Sequence, residues 1–136
     1  MNLKKHLFRR TTLKLKQFTG ENGGNAIIGI PENVEFELIG GTFISSNTSV
    51  HLEITCRKDP YQNFEEIDNE LKKECPVLPI QKLRENTAVR TLPMKSGYEA
   101  DIYNERSDQA ITIFVGPENN DSLKLLSDMI QSAEFI

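Results

Sequence analysis

Few side chains in this 136-residue chain are equipped for chemistry: two cysteines, two histidines and some small groups of carboxylates. Cys56 and Cys75 form no Cys-x-x-Cys pair and have no histidines at metal-ligand spacing. Isolated cysteines usually behave as small buried apolar side chains, so both are expected as free thiols in a reducing, cytoplasmic setting. His51 and Cys56 are the nearest approach to a base and a nucleophile, but their odd separation on one strand sends them to opposite faces. Glu32, Glu35 and Glu37 form a carboxylate cluster. Carboxylates two apart on a strand share a face, and a solvated acidic face keeps an antiparallel sheet soluble without catalysing anything. The stretch Glu118-Asn119-Asn120-Asp121 lacks the alternating spacing of a calcium loop and reads as turn and cap chemistry. Gly23-Gly24 and Gly40-Gly41 lead into strands, not into the helix N-terminus that would cradle a phosphate. No nucleotide, zinc-protease or serine-hydrolase motif is present. The expectation is a non-enzyme with no cofactor and no metal.

Recognition of another macromolecule is the chemistry left. Tyr103, Asp101 and Glu99 share one face of a strand, opposite Tyr98, Ala100 and Ile102. A tyrosine beside carboxylates suits a binding rim. Charge points the same way. The sequence holds 16 basic and 20 acidic side chains, for a net charge of −4. Residues 1–17 carry Lys4, Lys5, Arg9, Arg10, Lys14 and Lys16 and no acid, so they hold +6, and the remainder holds −10. An acidic body repels phosphate and attracts a basic protein, which argues against nucleic acid. Glu35, Glu37, Glu53, Asp101 and Tyr103 are therefore the expected partner-binding residues, as charge-complementary or rim contacts.

The basic head has the charges of an export signal, and Arg9-Arg10 resembles a twin-arginine pair. The apolar stretch such signals require is missing, because Leu13, Leu15 and Phe18 are interrupted by Lys14, Lys16 and Gln17. Residues 1–10 are read as a basic leader and 11–136 as one domain, with no apolar run long enough to span a bilayer.

The elements that must position these side chains follow from periodicity. Alternation predicts strands over 11–18, with Leu13 and Leu15 on one face, then over 25–30, 34–38, 42–45 and 50–55. Phe64, Ile67 and Leu71 recur at helical spacing, which predicts a helix over 60–74, ended by Cys75-Pro76. Strands are expected again over 78–83, 87–92, 98–103 and 110–115, with Pro79 and Pro93 marking edges or ends. A closing helix follows, with Asp121 as N-cap, an apolar face of Leu123, Leu126, Met129 and Ile130, and Phe135 anchoring the tail. Segregated strands and helices imply an α+β fold.

Three stretches together resemble PsbP-like and DcrB-like domains: Ala26-Ile-Ile-Gly-Ile-Pro31, Gly97-Tyr-Glu-Ala-Asp-Ile-Tyr103 with Ala110-Ile-Thr-Ile-Phe-Val115, and Ser122 to Phe135 with its Ser-x-x-Phe ending. The resemblance implies an antiparallel β-sheet flanked by two helices, a PsbP-like α/β/α sandwich, and it supplies no catalytic residues. That family includes photosystem assembly factors, a nuclear-transport cofactor, bacterial lipoproteins and cytoplasmic chaperones of type VI secretion effectors. No lipobox cysteine stands near the N-terminus here, which argues against the lipoprotein branch. The expected function is protein binding, as a bacterial secretion-effector chaperone or a toxin-immunity protein, and the alternative is a small-ligand or lipid-binding domain of the same fold.

Overall fold

Apolar residues at every second position of the chain's strongest strands define one buried face. Leu52, Ile54 and Cys56, then Ala100 and Ile102, then Ile111, Ile113 and Val115 all turn to the same side and are almost wholly buried. A computed structural model describes residues 13–21, 23–58 and 81–136, together with 65, 66, 69 and 73. Its elements run β1 (Leu13–Thr19), β2 (Asn25–Pro31), β3 (Phe36–Ile39), β4 (Thr42–Ser45), β5 (His51–Lys58), β6 (Gln81–Arg84), β7 (Thr87–Met94), β8 (Gly97–Asn104), β9 (Gln109–Gly116), α1 (Asn120–Ser132) and β10 (Glu134–Phe135). Two antiparallel sheets result, one in the order β1-β2-β10 and a larger one in the order β3-β4-β5-β9-β8-β7-β6.

The small sheet and α1 together cover the inner face of the large sheet. Helix α1 packs on β8 and β9 of the large sheet and on β2 of the small one. It contributes Leu125, Leu126, Met129 and Ile130 to a core shared with Phe18, Ala26, Ile28 and Ile30. The hairpin between β1 and β2 lies against the backbone of β5. A Cβ at Gly20 would stand 1.9 Å from the Cys56 carbonyl oxygen, and one at Gly24 would stand 2.3 Å from the Arg57 nitrogen. Only glycine permits that approach.

The chain is thus mostly β, and the sheet flanked by two helices, with the α/β/α sandwich it implied, is not what forms. The physical reason lies in β1, β2 and β10. They pair among themselves, and this second sheet takes much of the inner face that a helical layer would have covered. Of the helix expected over 60–74, only Glu65, Glu66, Asn69 and Lys73 are described, each in helical conformation, and the basic leader lies outside the described residues. Among the described residues no helix is long and apolar enough to cross a membrane.

Smaller corrections have local causes. In β1 the core residue is Phe18, fully buried, whereas Leu15 is 65% exposed. The strand's lysine face therefore points inward at its end, with Lys16 Nζ 6.0 Å from the Phe18 ring centre. The N-cap of α1 is Asn119, whose Oδ1 accepts from the Ser122 amide at 2.8 Å. Leu125 replaces Leu123 on the buried face, and Leu123 stays 42% exposed. Strand β7 runs through Pro93 to Met94, and among the described residues β6 pairs with it as far as Val89, so the missing N–H at Pro93 costs no bond to a described strand. The tail does anchor, through a short strand that pairs Phe135 with Ala26.

Candidate functional site

Strand parity that buries one face of the large sheet sends the intervening residues to the other. Register then decides which of them meet. Glu37 stands opposite Ile44, Ile44 opposite Glu53, Glu53 opposite Phe114, Phe114 opposite Glu99, and Glu99 opposite Leu92. One row across the outer face, from the β3 edge to β7, thus alternates carboxylate and apolar side chains. Glu37 is exposed, Ile44, Glu53, Phe114 and Glu99 are half-buried, and Leu92 is buried. At one end of β5, His51 Nε2 lies 2.6 Å from Glu53 Oε2, and its ring meets Phe114 edge-on at 5.9 Å.

The neighbouring row is polar and closed. Asp101 accepts from Arg90 Nη2 at 3.1 Å through one oxygen and from Thr112 Oγ1 at 2.9 Å through the other. Arg57 Nη1 donates to Thr112 Oγ1 at 2.8 Å, which extends the network to β5. The Thr42 and Thr55 hydroxyls bond each other at 3.0 Å further along the same line. Arg90 and Asp101 are both 5% exposed. Among the described residues Nε and Nη1 of Arg90 have no hydrogen-bond partner, so Asp101 is the carboxylate in direct contact with this guanidinium.

Burial pushes the Glu99 carboxyl above its ordinary range, and the nearby Asp101 charge pushes the same way, against the pull of Arg90 and Arg57. The native state therefore holds this proton more tightly than the unfolded chain does. The contribution of Glu99 to stability is fully present at acid pH and is lost as pH rises from the unfolded value through the raised native one. Glu99→Gln removes the ionised form, so thermal unfolding at pH 7 should give a higher Tm than the native sequence, and the difference should vanish at about pH 3.

The five residues expected to bind a partner do not form one patch. Glu37 and Glu53 fall in the alternating row. Glu35 precedes β3, exposed, with its amide donating to Asn47 Oδ1 at 2.8 Å. Asp101 is committed to Arg90 and Thr112, and Tyr103 is 3% exposed one register step away, so neither occupies an open rim. Glu99 lies on the face that strand parity gives it but outside the five expected residues, as do Ile44 and Phe114. Parity within each strand gives their side, but only the pairing register puts them in line.

Other chemistry is spatially dispersed. Cys56 is a buried free thiol, raised to about 11 by burial against the opposing pull of Arg57, and it faces the core while His51 faces outward. Cys75 lies outside the described residues. Among the described residues no three of His, Cys, Asp or Glu are placed to hold a metal ion. Comparison of the chain with protein-family models, with curated proteins and with solved structures gives no match.

Proposed function

We propose that this chain is a non-enzymatic protein-binding domain that receives a basic protein partner on its outer sheet face. A bacterial secretion-effector chaperone or a toxin-immunity protein would work in this way. The observation that carries the reading is the row Glu37, Ile44, Glu53, Phe114, Glu99. Carboxylates at every second place attract a cationic surface and accelerate encounter, and the apolar side chains between them supply area to bury once contact is made. The alternative of a small-ligand or lipid carrier has less support. The contact between α1 and the sheets is filled by Ile28, Ile102, Ile113, Leu126 and Met129, all fully buried.

The test is capture from the source organism's lysate at low ionic strength, followed by binding kinetics with the partner recovered. The double reversal Glu37→Lys with Glu53→Lys should slow association by about tenfold and flatten its dependence on salt. An unchanged association rate would remove the acidic row from the function.

A further inference from the structure

A sheet edge is a row of unpaired N–H and C=O groups, and proteins normally guard it. Among the described strands, three of the four sheet edges carry a basic or length-based guard. Strand β6 presents Lys82 and Arg84 and has a register irregularity between them. Strand β1 presents Lys14 and Lys16, both exposed, and β10 is only two residues long. Strand β3 differs. Its one charge is the acidic Glu37, and its four residues Phe36-Glu37-Leu38-Ile39 contain no proline, lysine or bulge, with Leu38 and Ile39 51% and 55% exposed.

The backbone parity of this edge follows from one hydrogen bond. The Ser46 amide donates to the Glu35 carbonyl at 3.0 Å, which makes Glu35 and Ser46 a bonded pair. In an antiparallel ladder bonded pairs recur at every second residue, so Glu37 and Ile39 also bond to β4. The two-residue turn Gly40-Gly41, with both φ values positive, agrees, since the residues flanking such a turn form a bonded pair. Phe36 and Leu38 therefore aim their N–H and C=O groups away from β4, along an edge that no described strand pairs with.

We infer that β3 is where the partner docks, by adding an extended segment of alternating basic and apolar residues as a further strand of the large sheet. This rests on the reading of the acidic row and specifies how it is used. Side chains of an added strand fall alternately on the two faces. Those on the outer face stand beside Glu37, at the end of the row that continues to Glu53, and are basic. Those on the inner face stand beside Leu38 and are apolar. The aliphatic stem of a lysine or arginine on the outer face also covers Ile39.

The probe is a terminally blocked peptide of alternating lysine and valine, about eight residues long, the length of an ordinary strand. An alternating glutamate–valine peptide is its control. Fluorescence anisotropy with the full chain should show binding of the lysine peptide at least about tenfold tighter than the control. Amide exchange should show new protection at Phe36 and Leu38. Leu38→Pro removes one outward N–H and leaves the bonds to β4 in place, so it should lose the lysine peptide by about tenfold or more while Leu38→Ala loses less. Equal binding to native chain and Leu38→Pro overturns the proposal. So does unchanged exchange at Phe36 and Leu38 in the native chain, a measurement that holds even if the proline variant fails to fold. A concentration-dependent dimer that Leu38→Pro abolishes, with no peptide binding, assigns the edge to a second copy and also overturns it. If reversing Glu37 and Glu53 weakens partner binding while Leu38→Pro does not, the acidic row stands and only the added strand fails.

Discussion

Asp101→Ala should destabilise the protein by about 3–5 kcal/mol, because it leaves the Arg90 guanidinium buried without its counter-charge. The magnitude follows from the asymmetry between losing a pair and losing one member. Arg90 is 5% exposed, and among the described residues its only hydrogen-bond acceptor is Asp101 Oδ2 at 3.1 Å. Asp101 also holds Thr112, and Thr112 holds Arg57, so the deletion unties a network that crosses β7, β8, β9 and β5. Replacing both charged residues together, as in Arg90→Met with Asp101→Leu, should cost far less than Asp101→Ala alone, since neither charge then remains to be desolvated. Urea unfolding of the single and double variants measures this. A single variant no less stable than the double one would mean that the ion pair is not what holds this face.

Phe18→Ala should cost about 3–5 kcal/mol as well, through a cavity and not a charge. Phe18 is fully buried, and its ring meets Phe36 and Phe43 edge-on at 5.3 and 5.1 Å. Those two rings belong to β3 and β4. The small sheet therefore meets the outer hairpin of the large one through this aromatic cluster. Loss of the ring should loosen that hairpin before the rest of the sheet, which amide exchange reads as lost protection at Glu37 and Ile39 while β8 and β9 stay protected. Because Glu37 and the open edge lie on this hairpin, partner affinity should fall in the same variant although Phe18 touches no part of the outer face. Uniform loss of protection across both sheets would show instead that the hairpin has no stability of its own.

Much of the strand structure was legible because it rests on local rules. Val50 to Thr55 alternates, and β5 buries Leu52 and Ile54 as that alternation requires. The opposite facing of Cys56 and His51 follows from the same parity. Local rules fail where two patterns compete. Leu13 and Leu15 look like the core face of β1, and Leu13 does pack against the core, but Leu15 is exposed while Phe18 on the other face finds aromatic neighbours and is buried. Asp121 and Asn119 are both able to cap α1. The choice fell to Asn119, whose side chain reaches the Ser122 amide.

Local order along the chain is enough to give the apolar side of each strong strand, the glycine pairs that must turn it, and the division into a basic head and an acidic body. These are properties of neighbours along the chain, set by a two-residue side-chain period and by backbone sterics. Long-range pairing is what divides the strands into two sheets, commits Asp101 to Arg90, and brings Glu37, Glu53 and Glu99 into one row with Ile44 and Phe114. Each of these depends on register between strands remote in sequence. Register is chosen by the packing of whole faces against one another, and no local pattern encodes it.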